Sequence, residues 1–246
     1  MKKEVKEYFF EYKMGFMLTV ATIITIVAII LSMVLLNVFY DTGNYLKFLF
    51  DDSMKFSETM FWYFIIIVGI FLWSVLHEII HGIFYQIGGA TRKNITYGAA
   101  LEKGIFYCRC GEYVNKKTIM MSLMAPFTII GVITLIISLF FNWPWLAFLS
   151  AVNIGGAGAD LCMFFFFLKR ANDIEFREYG DSSFFSLKTS EKLDEKKFIC
   201  VKPIDKEKVP ANDNTKRLVI SKASWKWLLI ILAILVLNII IILLFE

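Results

Sequence analysis

Long apolar runs separated by polar segments dominate the hydropathy pattern of this chain. The runs extend from about Met14 to Tyr40, Met60 to Ile87, Thr118 to Phe141, Trp145 to Leu168 and Trp225 to Glu246. Each run reaches the roughly 20 residues that a helix needs to cross the hydrocarbon core of a bilayer. The pattern therefore predicts an all-α polytopic membrane protein with about five transmembrane helices.

The polar segments between the runs carry weaker structural signals. Residues 95–99 and 105–110 have the composition of two short strands around a turn, so we expect a small β-hairpin on the cytoplasmic side. Residues 174–187 are aromatic and β-branched enough for some ordered structure. Residues 188–216 are rich in Lys, Glu and Asp, which favours a mobile segment.

The distribution of cations orients the predicted helices. Lys and Arg number 4 before the first run and then 2, 6, 0 and 13 in the next four polar segments, and Lys226 completes the 26 of the chain. Because cytoplasmic loops are enriched in Lys and Arg, we expect a multi-pass protein of the cell membrane with a cytoplasmic N-terminus and an external C-terminus. The expected organisation is a cytoplasmic segment 1–13, a four-span membrane domain 14–168, a cytoplasmic loop 169–224 and a fifth helix 225–246.

Composition agrees with a membrane location. The chain is 58% hydrophobic and only 20% charged, with a mean hydropathy of +0.63. Its net charge of +4 is modest and unevenly spread, so it reflects membrane topology and not nucleic-acid binding. The four cysteines form no convincing disulfide framework, and Cys108 and Cys110 are more typical of reduced thiols than of a metal or redox pair.

The second apolar run contains the sequence His77-Glu-Ile-Ile-His81, which holds the only two histidines of the chain. Residues four apart on a helix share one face, so both imidazoles can bind one zinc ion. Glu78 lies about 100° further round the helix, where its carboxylate can serve as general base toward the attacking water. Ionisable groups are costly inside a membrane, so a metal site is favoured over an accidental occurrence of the motif.

A catalytic zinc site needs a third protein ligand, and no further histidine exists to supply it. Besides Glu78, Asp160 is the only carboxylate in the interior of an apolar run. Ile79 lies nine residues before Gly88, and Asp160 lies nine residues before Lys169 on a run of the same direction. At about 1.5 Å per residue the two positions share one depth. We therefore predict a Zn²⁺ site of His77, His81 and Asp160, with helix pairing or N-capping as the alternative role of Asp160.

Small residues four apart precede Asp160 on the same run, at Ala151, Gly155 and Ala159. This spacing lets membrane helices approach closely, which we expect to bring Asp160 to the helix of the histidines. The glycines around Gly155 can also loosen the helix. Asn153 has two interpretations, a donor to a substrate carbonyl or an interhelical hydrogen bond.

The residues of this predicted site make the chain resemble a known family. A HExxH motif on an early span with an aspartate on a later one looks like the site-2 protease type of intramembrane metalloprotease. The chain is more closely similar to compact bacterial membrane proteins classed as zincin peptidases. That resemblance covers about residues 71–187 and rests on His77-Glu-Ile-Ile-His-Gly82, Tyr107-Cys108, Ala125-Pro126-Phe127 and Asp160-Leu161.

The resemblance implies that His77, His81 and Asp160 are zinc ligands and that Glu78 is the catalytic base. The chain departs from site-2 proteases because Asn-Pro-Asp-Gly does not surround the aspartate, which puts the type of substrate in question.

Two functions from different classes follow from these observations. The first is a zinc-dependent peptidase that acts within or at the membrane on a membrane protein or peptide, which the predicted hairpin can hold unwound by strand addition. The alternative is a non-catalytic zinc-binding membrane protein that binds or chaperones a partner helix. A small transporter is disfavoured because the sequence has no inverted repeat. In each case the lipid bilayer is a partner and nucleic acid is not.

Overall fold

The computed structural model describes residues 4–40, 55–103, 105–211 and 218–245. Most of the polar segment after the first apolar run, residues 41–54, lies outside this description. The α-helices are α1 (Met14–Tyr40), α2 (Phe56–Ile87), α3 (Lys116–Pro126), α4 (Thr134–Phe141), α5 (Pro144–Gly156), α6 (Gly158–Leu168) and α7 (Lys222–Phe245), with a π-helical segment Phe127–Ile133 between α3 and α4.

The strands are β1 (Lys6–Tyr12), β2 (Ile95–Ala100), β3 (Ile105–Cys110), β4 (Val114–Asn115), β5 (Glu175–Tyr179), β6 (Phe184–Thr189), β7 (Val201–Pro203) and β8 (Leu218–Ile220). Short 3₁₀ turns cover Arg92–Asn94, Leu101–Lys103, Glu195–Lys197 and Lys206–Lys208. Strand β7 and two of these turns lie in the segment for which composition favours mobility.

Three helices are long and apolar enough to cross a membrane, namely α1, α2 and the combined helix Lys116–Phe141. Helices α5 and α6 form a fourth candidate that is bent by 46°. Apolar side chains such as Leu18 and Val38 are exposed on the outside of these helices, as expected where lipid replaces water. The predicted membrane association is supported to this extent, while the orientation of the chain stays a prediction.

The prediction of an all-α protein with one small hairpin is wrong. The structure is about 64% helical and 18% strand, and the strands form two sheets. The five-stranded sheet has the order β4-β5-β6-β1-β7 and the three-stranded sheet the order β3-β2-β8. The β2–β3 hairpin does form, but β8 adds to it in parallel. Strand β1 pairs with β6, so that Phe10 faces Phe185, and contacts between such distant segments leave little trace in a local sequence pattern.

The five-stranded sheet packs on the end of α6 through a cluster of phenylalanines. On β1, apolar Tyr8, Phe10 and Tyr12 alternate with other residues and so share one face of the strand. Phe10 stacks on Phe185 at 5.3 Å, and its ring meets Phe166 of α6 edge-on at 6.4 Å. This packing joins the first strand of the chain to the helix that carries Asp160.

The small residues of α5 and α6 face α1, not the helix of the histidines. A Cβ atom on Gly155 would lie 1.7 Å from Thr25 Oγ1, and one on Gly158 would lie 2.7 Å from the Ala21 Cα atom. The expectation that this stripe pairs with α2 is therefore wrong, because its close approach is to α1. Helix α2 instead meets α5 where Gly69 lies under Leu149.

The α1–α5 contact predicts that one added methyl group at Gly155 destabilises the fold. We expect Gly155→Ala to lower the free energy of unfolding by about 1–3 kcal/mol, because the added carbon overlaps Thr25 in a packed interface. The measurement is the thermal unfolding midpoint of the detergent-solubilised protein. Gly156→Ala is the matched control, since a Cβ there meets nothing within 4 Å. Equal midpoints for the two variants would contradict the proposed contact.

Candidate metal centre

Three side chains from two helical regions converge on one point. His77 and His81 are buried on one face of α2, with their ring centroids 4.8 Å apart. Asp160 Oδ2 lies 3.0 Å from His77 Nε2 and 3.5 Å from His81 Nε2. Ligand atoms at zinc distances in a tetrahedral site are about 3.3 Å from one another. The structure thus brings the three predicted ligands to the spacing of a zinc site, while their binding of zinc stays a prediction.

The other nitrogen of each ring faces an oxygen acceptor. His77 Nδ1 lies 3.1 Å from Asn153 Oδ1, and His81 Nδ1 lies 2.9 Å from the Ser122 carbonyl oxygen. Asn153 Nδ2 donates to the Pro126 carbonyl at 3.3 Å, which turns Oδ1 toward His77. Asn153 therefore makes the interhelical hydrogen bonds that were one of its two interpretations. Because each Nδ1 needs its proton for these contacts, each Nε2 presents a lone pair toward Asp160.

Positive charge is needed where the two Nε2 atoms meet the Asp160 carboxylate. A neutral imidazole carries one N–H, so with both protons on Nδ1 the two Nε2 lone pairs meet a carboxylate oxygen with no hydrogen between them. Either protonation of both rings or a metal cation supplies the missing charge. Two imidazole nitrogens and one carboxylate oxygen are the donor set of a catalytic zinc ion, which keeps a further position for water. The residues present fit Zn²⁺.

Pro126 explains why a backbone carbonyl is available to His81. In an α-helix the N–H of residue 126 would bond the carbonyl of residue 122, but proline has no N–H. The freed Ser122 carbonyl accepts from His81 Nδ1, and Ser122 Oγ donates back to the His81 carbonyl at 3.1 Å. A proline in an apolar helix thereby fixes the tautomer of a histidine on the neighbouring helix.

Asp160 lies in the first turn of α6, immediately after the helix breaks at Ala157. The break falls in the glycine-rich stretch that the sequence suggested would loosen. A carboxylate in the first turn is stabilised by the partial positive charge of the helix N-terminus. Ala157, not Asp160, occupies the N-cap position, so the capping role considered for Asp160 is not the one observed.

Two cavities meet at the HExxH motif. The first, here called the polar cavity, has a volume of about 200 Å³ and is lined by His77, Glu78, His81 and Asp160 together with Tyr12, Glu178 and β3. The second, here called the membrane-side cavity, has a volume of about 210 Å³ and is lined mainly by apolar residues of α2 and α5, including Ile70, Trp73, Leu149 and Val152. Both include His77 and Glu78 and also share Ile105, Phe106 and Gly156, so the two cavities adjoin each other at the motif.

Sequence reasoning missed two residues of the polar cavity, Tyr12 and Glu178. Glu178 on β5 accepts hydrogen bonds from Tyr85 Oη at 3.1 Å and from the Cys110 N–H at 3.0 Å. Burial raises the pKa of Glu178 to about 7. No local signal marks either residue, because both lie in charged segments that reach the cavity only through pairing of distant strands.

Cys108 and Cys110 of β3 are free and buried. Burial raises the pKa of both thiols, which disfavours a metal-binding thiolate.

The contacts of Asn153 predict a measurable effect on metal affinity. We expect Asn153→Leu to weaken zinc binding about 10- to 100-fold, because His77 loses the acceptor that orients its ring. Competition with a chromophoric zinc chelator measures this affinity. Ser150→Ala is the control on the same helix, since the Ser150 hydroxyl contacts Leu146 and Thr134 away from the centre. Wild-type affinity in Asn153→Leu would show that this hydrogen bond does not support the site.

Comparison with known proteins bears on the same part of the chain. No curated protein and no solved structure matches the chain. Residues 70–174 match the sequence model of a family described as "Putative zincin peptidase". This matched stretch contains all four residues of the centre, His77, Glu78, His81 and Asp160, so the region that builds the site is similar to that family.

Proposed function

We propose that the protein is a zinc-dependent peptidase that hydrolyses peptide bonds within or at the membrane, with Glu78 as general base. The observation that carries the proposal is the convergence of His77 Nε2, His81 Nε2 and Asp160 Oδ2, with both imidazole Nδ1 atoms held by acceptors. Glu78 lies next to this point, and one ligand atom from each of His77, Glu78 and His81 falls within 4.8 Å of the others.

In the proposed reaction, zinc activates the water and the carbonyl, and side chains of the protein move the proton and hold the ligands. When bound, zinc lowers the pKa of a coordinated water and polarises the scissile carbonyl. Glu78 takes the proton of the attacking water and delivers it to the leaving amine. Asn153 and the Ser122 carbonyl hold the two imidazoles in one tautomer, so that the ligand geometry needs no rearrangement during the reaction.

Strand β3 supports an extended, strand-like substrate. It is the outer strand of its sheet. The backbone of Cys108 and Cys110 is bonded to Ser182 and Glu178, so the edge at Ile105 and Phe106 is the part that we propose for a further strand. Residues Ile105 to Cys108 line the polar cavity, and the Cys108 N–H is directed at the Glu78 carboxylate. A peptide that pairs with this edge passes beside the general base in the unwound form that hydrolysis requires.

The membrane-side cavity supports a substrate that comes from the bilayer. Its lining by Ile70, Leu149 and Val152 suits an apolar segment, and Glu78 is part of the same lining. Strand β1, strands β2 to β4 and strands β5 to β8 come from three polar segments of the chain and form the two sheets at one end of the helices. Because the polar segments 1–13, 88–117 and 169–224, from which these strands come, carry 23 of the 26 Lys and Arg residues of the chain, we propose that this end faces the cytoplasm.

Replacement of the base tests the proposal. We expect Glu78→Gln to lower hydrolysis about 10²- to 10⁴-fold while zinc is retained, because the amide cannot accept the proton of water. The assay is cleavage of a panel of co-expressed single-span reporter proteins, with zinc content measured on the purified variants.

Two further variants make the result specific. Glu175→Gln, on the exposed face of β5, should cleave like wild type. Asp160→Asn should lose zinc and cleavage together. Wild-type cleavage by Glu78→Gln would overturn the mechanism, and reporters left intact by every variant and by wild type would favour the non-catalytic zinc-binding alternative.

A further inference from the structure

Tyr12 reaches the polar cavity from the first strand of the chain and is held there firmly. It is the last residue of β1, where it pairs with Val201, and its N–H donates to the Ser183 carbonyl at 3.1 Å. Its ring packs against Phe185 with the centroids 5.0 Å apart. Both backbone and ring are therefore fixed by the five-stranded sheet, independently of any contact made by the hydroxyl group.

The Tyr12 hydroxyl has no hydrogen-bond partner among the described residues, although it lines the same cavity as His77, His81 and Asp160. Buried or partly buried phenols normally find a partner. Tyr8, on the same face of β1, donates to the Glu191 carbonyl, and Tyr85 donates to Glu178. The free donor of Tyr12 is thus an exception, and it lies at the candidate metal centre.

The other hydroxyl groups of the cavity lining are less suited to the centre. Ser182 donates to the Cys108 carbonyl, and Tyr85 donates to Glu178. The Ser183 hydroxyl has no partner but is itself buried, and the end of the Tyr107 ring lies against Gly98 of β2. Tyr12 is therefore the candidate donor toward the centre.

The charges around the cavity make such a donor valuable. Glu78, Asp160, Glu178 and Asp181 line it, and no described lining residue is Lys or Arg. A peptide carbonyl that gains negative charge there meets carboxylates, which cannot donate. Burial, followed by the nearby Glu178 and Asp160 carboxylates, raises the pKa of Tyr12 well above its usual value, so its O–H stays protonated at neutral pH.

We propose that Tyr12 is a catalytic residue, whose hydroxyl donates a hydrogen bond to the scissile carbonyl oxygen as that oxygen becomes an oxyanion. The inference rests on the proposed peptidase function and adds to it a residue outside the matched stretch 70–174. As the water oxygen bonds to the carbonyl carbon, the π electron pair moves onto the carbonyl oxygen, and Tyr12 stabilises that charge without losing its proton. When the C–N bond breaks, the carbonyl re-forms and the proton held by Glu78 passes to the leaving nitrogen.

Tyr12→Phe tests this role, because it removes one oxygen and leaves the ring on Phe185. We expect kcat to fall about 10²- to 10³-fold, the loss typical of one oxyanion donor, with KM unchanged. Zinc content and thermal unfolding midpoint should match wild type. Tyr8→Phe is the matched control on the same strand and face, and it should retain full kcat.

A second readout does not depend on turnover. A phosphinic dipeptide analogue carries a tetrahedral anionic group that resembles the transition state. Calorimetry on the zinc-loaded protein should show about 10²- to 10³-fold weaker binding of this analogue to Tyr12→Phe than to wild type, with the hydrogen bond to the anion lost. The uncharged amide of the same dipeptide should bind both proteins equally.

Several results would overturn the role of Tyr12. These are wild-type kcat and wild-type analogue binding in Tyr12→Phe, a rise in KM with unchanged kcat, loss of zinc from this variant, or a loss of kcat that appears in Ser183→Ala instead. Failure of the proposed function is distinguishable, because it shows as wild-type hydrolysis by Glu78→Gln. Loss of activity in Glu78→Gln with full activity in Tyr12→Phe would reject the Tyr12 proposal alone.

Discussion

The candidate site depends on one constraint: two buried imidazoles each have an oxygen acceptor at both ring nitrogens. Asn153 and the Ser122 carbonyl hold the outer nitrogens, and Asp160 faces the inner ones. Buried polar groups without partners are costly, so three helical regions must meet α2 at the same turn for the arrangement to exist. The inner nitrogens are satisfied only when protons on both rings or a metal cation lie between them and the carboxylate. The local energetics of folding and the chemistry of the site are therefore set by the same contacts.

Irregular backbone supplies the groups that regular helices cannot. Pro126 leaves a carbonyl unbonded inside a helix, and that carbonyl accepts from His81. The break at Ala157 starts a new helix whose first turn presents Asp160 to the histidines. In a membrane such departures from helical bonding persist where other groups satisfy the freed atoms. Here those groups belong to the candidate metal centre, so both irregularities contribute to its geometry.

The site lies at the boundary between the helices and the two sheets. The membrane-side cavity adjoins the motif between α2 and α5, and the polar cavity is lined by β3, β5 and the end of β1. The sheets are thus part of the site, and the picture of helices with a single hairpin misses Tyr12 and Glu178, which both come from strands.

The sequence by itself determined the apolar helices, the β2–β3 hairpin and the grouping of His77, Glu78 and His81, since these depend on local periodicity and spacing. The equal distances of Ile79 and Asp160 from the ends of their apolar runs also singled out Asp160. Residues of two membrane helices can bind one ion only if they lie at the same depth. Only the tertiary structure decided that β1 pairs with β6 and β7, that Gly155 and Gly158 pack on α1, and that Tyr12 and Glu178 enter the cavity. These features depend on contacts between segments far apart in the chain, and no local periodicity encodes which partner a strand edge or a small-residue face selects.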